Sequence, residues 1–124
     1  MIYLDTHVVV WLCEARMDKL TPQGIAALEA EDLAISPMVV LELAYLYETH
    51  RTKVGAERMV QLLTDQIEVV VDKQSFDRVA HQALHETWTR DPFDRLIVAQ
   101  AKLTQSRLLS KDRMIREHYR HAIW

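Results

Sequence analysis

Short apolar runs alternate along this chain with longer segments of helical spacing. Ile2 to Leu4 reads as a strand that ends at Asp5. Val8 to Cys13 has strand-like valines, but its place just after Asp5-Thr6 marks it as the start of a buried helix. Thr21-Pro22 and Ser36-Pro37 each offer an N-cap hydroxyl followed by proline at the first helical position. They open helices that run to about Ala30 and about Glu48, with Leu33 to Ile35 as a strand between them. Val54 to about Asp65 carries Met59, Leu62 and Leu63 on one helical side, and Ile67 to Val71 is the clearest strand, rich in β-branched residues. Ser75 to Glu86 places Phe76, Val79, Ala80 and Ala83 at helical spacing, and Asp91-Pro92 opens a helix bearing Leu96 to Ala99. Leu108-Leu109 then reads as a strand, Asp112 to Tyr119 as a short helix and Ala122 to Trp124 as a last strand. Strands this short and apolar, alternating with helices, imply an α/β fold whose parallel sheet is covered on both faces.

Composition narrows the class. The 124 residues are 49% hydrophobic and 27% charged, with two glycines and three prolines, which excludes a disordered tail or a flexible linker and suits one domain spanning 1–124. One cysteine, Cys13, excludes a disulfide scaffold and a paired-cysteine metal or redox site. The longest apolar run, Val8 to Cys13, is far short of the ~18 to 20 residues of a membrane span, and Met1 to Leu4 lacks the basic start of a signal peptide. A soluble, cytoplasmic protein is expected. The net charge of −3 argues against a general nucleic-acid binder, but it is unevenly spread. Residues 1–88 hold 7 Lys/Arg against 14 Asp/Glu, whereas residues 89–124 hold 8 against 4, so the final third is locally basic.

Candidate chemistry lies just past the strands, where open α/β sheets bind their ligands. Asp5 follows the first strand and Asp112 follows Leu108-Leu109, although each also suits the N-cap of the helix that comes next. Glu42 is the one charged residue between Ser36 and Tyr47, in a helix apolar nearly all round and therefore expected to be buried. A carboxylate there needs a basic partner, a metal ion or a raised pKa. Asp91 and Asp94 share the first turn of their helix; Asp91 suits an N-cap, while Asp94 precedes buried apolar residues. Acids from separate elements that meet at one sheet end repel unless cations lie between them, and hard oxygen donors suit Mg²⁺ or Mn²⁺. The chemistry implied is metal-assisted phosphoryl transfer, most simply hydrolysis.

Tyr3-Leu4-Asp5-Thr6-His7, Ser36-Pro37 leading to Glu42, Arg90-Asp91-Pro92-Phe93-Asp94-Arg95-Leu96-Ile97 and Leu108-Leu109-Ser110-Lys111-Asp112 together resemble the PIN domain, and more narrowly the VapC toxins of bacterial toxin–antitoxin pairs. The likeness runs from the first strand to the helix after Asp112. It implies a three-layer α/β/α sandwich with a short central parallel sheet, and an endoribonuclease dependent on Mg²⁺ or Mn²⁺. The family's acidic quartet maps to Asp5, Glu42, Asp94 and Asp112, with Asp91 an additional metal-site acid at the rim. Thr6 and Ser110 match small hydroxyl positions beside the ligands. His7 stands where many relatives carry Asn, and no role carries over to it. Relatives form homodimers and are silenced by an antitoxin whose C-terminal segment enters the acidic groove.

Arg90, Arg95, Lys111 and Arg113 flank these acids in sequence and suit RNA phosphates, or equally surface ion pairs. His81 and His85 lack the pattern of a zinc site and read as a solvated face, as do His118 and His121, while Trp11, Trp88, Tyr45 and Tyr47 read as core or interface aromatics. Two other functions compete. A haloacid-dehalogenase-type phosphatase would also place a nucleophilic Asp after the first strand, but its second Asp is replaced here by His7. A non-catalytic PIN or receiver-like module would act through a partner, with Asp72 at the end of the mid-chain strand, but it leaves Glu42 unexplained.

Overall fold

The computed structural model describes residues 1–124. Strand β1 (Ile2–Leu4) leads into helix α1 (Thr6–Cys13), a 3₁₀ turn (Met17–Lys19) and α2 (Pro22–Ala30). Next come β2 (Leu33–Ile35), α3 (Pro37–Glu48), α4 (Ala56–Ile67), β3 (Val70–Val71), α5 (Phe76–Ala83) and α6 (Pro92–Leu103). The chain closes with β4 (Arg107–Leu109), α7 (Arg113–His118) and β5 (Ala122–Ile123). The sheet is wholly parallel, in the order β3-β2-β1-β4-β5, with Ile2 opposite both Leu33 and Arg107. Helices cover both faces, as the alternation of elements implies. Ile2, Leu4, Ile35, Leu108 and Leu109 are fully enclosed, which explains why these strands carry no charged residue except Arg107 at the start of β4.

The order places the topological switch between β1 and β4: from the central β1 the chain goes first to β2 on one side and later to β4 on the other. Diverging connections leave a crevice beyond the carboxyl ends of those two strands. Asp5 and Ser110 are the residues that step out there, and the Asp5 N–H donates to the Leu109 carbonyl at 3.0 Å.

Three expectations are corrected. The β-branched run Ile67 to Val71 is not one strand, because α4 extends through Ile67 and ends at Glu68 in the left-handed region (φ 57°). The Glu68 N–H bonds back to Leu63 and Thr64, so only Val70–Val71 remain to pair with β2. The α5 helix stops at Ala83, where i→i−3 turns take over the backbone of Leu84, His85 and Glu86. Its inward side is Val79 and Ala83, while Phe76 is exposed. The α3 helix is not buried all round: Val39, Leu43 and Leu46 are its buried stripe, Met38 and Val40 pack partly against the core, and Leu41, Tyr45 and Tyr47 are about half exposed. Apolar character on every side did not mean burial on every side.

A candidate acidic active site

Three of the five candidate acids, Asp5, Asp91 and Asp112, are placed as the N-caps of helices. Asp5 caps α1, its Oδ1 accepting from the Thr6 N–H at 2.8 Å. Its Oδ2 accepts from the Ser110 hydroxyl at 2.6 Å, and that hydroxyl oxygen accepts in turn from the Asp112 N–H at 3.0 Å. Thus a single serine at the end of β4 ties the acid after β1 to the loop that leads into α7. Asp112 caps α7 through Oδ1, which accepts from Met114 and Ile115 at 2.8 and 3.1 Å. Asp91 caps α6 in the same manner, through Phe93 and Asp94. Glu42 reaches across from α3 to accept the Thr6 hydroxyl's hydrogen bond. The arginine partner that a buried glutamate could have had is absent.

These hydrogen bonds leave one oxygen each of Glu42, Asp91 and Asp112 without a donor from the protein, and both oxygens of Asp94. None of the molecule's five ion pairs involves any of the five acids. The electrostatic consequence is large. Burial, then the charges of Asp91, Asp5, Asp112 and Glu42, push the Asp94 carboxyl up to about 7. Burial likewise raises Glu42 against the opposing hydrogen bond from Thr6, with Asp5 and Asp91 adding to the rise. Burial also raises Asp5, against its bonds from Ser110 and Thr6. Mutual perturbation of this kind means that the acids of β1, α3, α6 and the β4–α7 loop share one electrostatic field.

A divalent cation is the group that such a field invites. As placed, no three Asp, Glu, His or Cys side chains stand arranged to ligate one ion together. The donor set nevertheless fits a hard ion: oxygen only, net negative, uncompensated and with free lone pairs on four of the five acids. Zinc gains nothing from His81 and His85, whose exposed rings stand edge to face 5.9 Å apart.

The predicted phosphate contacts have mixed fates. Arg113 pairs with Glu117 at 2.7 Å. Arg95 donates to the Thr89 carbonyl at 2.8 Å and Arg90 to that of Thr87 at 2.9 Å, so both brace the loop before α6. Lys111 makes no ion pair, and its ammonium lies 5.7 Å from the centre of the Trp11 ring. The two rival chemistries find little support. Both oxygens of Asp5 are engaged and the residue is buried, which does not suit a nucleophile. Asp72, the receiver-like candidate, is taken up by donors from Tyr3, Gln74 and Gln100.

Two clusters escaped the sequence reading. One is this Tyr3–Asp72–Gln74–Gln100 network, which joins β1, the end of β3 and α6. The other is Glu86, wholly buried and paired with Lys102. Asp72 was at least visible as a strand-ending acid; Glu86 sits in a polar stretch with nothing local to mark its burial. Size would have misled: the largest groove, about 910 Å³, lies at the other end of the sheet among Met1, Leu28, Leu33, Leu63 and Ile67. The acids, and not the volume, mark the site.

Comparison with known proteins identifies the family. The PIN domain family profile matches residues 2–120. The chain is 34% identical over 120 residues to Ribonuclease VapC22 of Mycobacterium tuberculosis, covering 94% of this chain and 91% of that protein. Among solved structures it resembles a toxin–antitoxin complex from Klebsiella pneumoniae (TM-score 0.68, 17% identity, 100% of this chain and 97% of that one). It also resembles VapBC2 of Rickettsia felis bound to a DNA fragment from its promoter (TM-score 0.66, 17% identity, 99% and 96%). At those identities the two structures speak for the fold, and the family match speaks for descent. With the three-layer α/β/α architecture in place, the chain belongs to the PIN domain family, in its VapC branch.

Proposed function

We propose that this protein is an endoribonuclease toxin that hydrolyses RNA phosphodiester bonds with Mg²⁺ or Mn²⁺ and is restrained by a cognate antitoxin. The observation that supports the reading is the uncompensated charge of Asp5, Glu42, Asp94 and Asp112, none with a basic partner, with Asp94 held at about 7 by burial and then by the charges of Asp91, Asp5, Asp112 and Glu42. Its mycobacterial relative is named a ribonuclease, and the Klebsiella structure is a toxin–antitoxin complex. No helix is long and apolar enough to cross a membrane, which accords with a cytoplasmic toxin.

Asp5, Glu42, Asp94 and Asp112 would hold the ion, with Asp91 at the rim. A divalent ion supplies Lewis-acid stabilisation of a phosphodiester's charge and a more acidic bound water. Thr6 and Ser110 keep Glu42 and Asp5 from turning away, since each hydroxyl donates to its acid. Asp94 is the proton-sensitive member. Near neutral pH it holds a proton part of the time, so cation binding competes with protonation and weakens as pH falls below about 7. No Ser, Cys or His is set up as an activated nucleophile among these acids, so direct attack by water is the expected course. The same uncompensated charge explains how a basic antitoxin segment would silence the site, by occupying it. A homodimer is the family expectation, and the half-exposed Leu41, Tyr45 and Tyr47 of α3 supply apolar surface for one.

The test is cleavage of pooled cellular RNA by wild-type protein and Asp94→Asn, with Mg²⁺ or Mn²⁺ and with EDTA. Discrete fragments should come from the wild type alone and vanish with EDTA. The variant should lose at least ~1000-fold in rate, about 4 kcal/mol of barrier. An undiminished rate in the variant, or cleavage indifferent to EDTA, overturns the assignment.

A further inference from the structure

Beside the acidic crevice lies a group of aromatic and cationic side chains that the carboxylate chemistry does not use. His7 and Trp11 stand one turn apart on the same side of α1, with ring centres 5.9 Å apart and planes tilted by 43°. Trp11 in turn meets Trp124, just past β5, at 5.8 Å. Lys111 reaches over the Trp11 ring from the β4–α7 loop, 5.7 Å from its centre. The two tryptophans are half-buried and lodged against the core, so the ledge is rigid; His7 and Lys111 are exposed.

Three features separate this group from ordinary packing. It adjoins the acids along the chain: His7 lies two residues beyond Asp5, in the first turn of the helix that Asp5 caps. Lys111 stands between Ser110, which holds Asp5, and Asp112. Its polar groups are also uncommitted, because neither the His7 ring nor the Lys111 ammonium makes a hydrogen bond or ion pair. Finally, an exposed ring next to a free ammonium is the combination that single-stranded nucleic acid uses, base on ring and phosphate on cation.

We propose that His7, Trp11 and Lys111 form a nucleotide subsite, with an unpaired RNA base stacking on the imidazole–indole ledge and the adjoining phosphate taken by Lys111. The proposal rests on the ribonuclease reading above and deepens it: the strand is anchored by stacking on the β4–β5 side of the crevice, and preference for unpaired RNA follows. Stacking tolerates any base, so this subsite selects for single strands more than for sequence.

The experiment uses the full chain carrying Asp94→Asn, which binds without cutting, and a single-stranded hexaribonucleotide containing one 2-aminopurine. Stacking quenches that base's fluorescence, and its titration gives affinity. In this background His7→Ala should weaken binding about tenfold and restore most of the fluorescence, while His7→Tyr should keep both the affinity and the quenching. Lys111→Gln should lower the slope of log affinity against log salt by about 0.7, the share of one phosphate contact on a single strand. His7 is exposed, so its variants should melt with the parent. If His7→Ala binds and quenches like the parent while wild-type protein still cuts RNA, the subsite is wrong and the ribonuclease reading stands. If wild-type protein neither cuts nor binds any RNA, both fall together. A ledge that binds only an antitoxin peptide would give the first result.

Discussion

Two regions of this molecule bury carboxylates, and they treat the charge in opposite ways. Glu86 has no exposed surface, and the Lys102 ammonium lies 2.7 Å from its Oε1 and 3.0 Å from its Oε2. The Trp88 indole N–H adds a hydrogen bond at 2.7 Å. The chain from Leu84 to Asp91 is thereby pinned to α6, and the stack of Trp88 on His118, 5.1 Å between centres, closes the far side. At the end of the sheet, Asp5, Glu42 and Asp94 are held by neutral hydroxyls and amides or by nothing, and no cation answers them. The first arrangement pairs its charge within the protein: Oε2 accepts both hydrogen bonds, and Oε1 is met by the Lys102 charge alone. The second stays electrostatically open, and that openness is the property a cation site or a basic partner requires.

The comparison breaks if Glu86 proves dispensable. Glu86→Gln keeps the indole's hydrogen bond but leaves Lys102 facing an uncharged amide in a buried setting. Loss of one partner of a buried pair costs ~3 to 5 kcal/mol, and the partial access of Lys102 to water argues for the lower end, about 3 kcal/mol. For a chain of this size the melting temperature should fall by about 10 °C. Adding Lys102→Met should return part of the loss, because a matched apolar replacement removes the stranded charge. A single variant that melts like the wild type would show the pair to be incidental.

Asp94 should behave in the opposite sense. Its folded value, about 7, lies above its ordinary 3.8, so the folded chain keeps a proton that the unfolded chain releases between those values. Stability contributed by the neutral carboxyl is complete below about pH 4 and is lost as pH rises to about 7. With metal removed by chelation, the protein should therefore melt higher at pH 5 than at pH 7.5. Discounted for the water that reaches this half-buried group, the difference is about 2 kcal/mol. Asp94→Asn should flatten the profile and raise the melting temperature at pH 7.5, even as it removes cleavage. Millimolar Mg²⁺ should stabilise the wild type at that pH and leave the variant nearly unmoved. A chelated wild type that is most stable at pH 7.5 would contradict the crowding of charge described here.

The contrast also explains what could be read from the chain beforehand. The acids of the crevice were legible because each sits at a signal with local meaning: Asp5 at a strand end, Asp91 and Asp112 before a proline or an apolar turn, Glu42 alone among apolar neighbours. The helix starts at Pro22, Pro37 and Pro92 were legible for the same reason. Glu86 was not, because its burial depends on Lys102, 16 residues away, and on a turn that ends α5 early. Strand β3 was misjudged because a left-handed residue at Glu68, which favours no strand, followed an isoleucine already used by the helix. The exposed side of α3 was hidden because local hydrophobicity does not say which face the core will take. In each case the missing information was tertiary.

Asp72 completes the comparison as a carboxylate satisfied without any cation. Burial pushes it upward, but donors from Tyr3, Gln74, Gln100 and the Lys73 N–H outweigh that and hold it below the usual range. Its stability contribution is therefore present above about pH 4 and fades as pH falls further. Tyr3→Phe removes the hydroxyl that donates to Oδ2 and leaves the two amide side chains in place. The phenyl ring still fills the same enclosed position, so no cavity forms, and the loss should be that of one hydrogen bond, about 1 kcal/mol. The melting temperature should drop by about 4 °C at pH 7 and by progressively less as the pH is taken down far enough to protonate the acid. Because α6 carries both Gln100 and Asp94, the same variant asks whether this neutral network also sets the helix against the sheet. An unchanged metal-dependent stabilisation would confine the network to stability, and a weakened one would make it part of what holds the acidic crevice in shape.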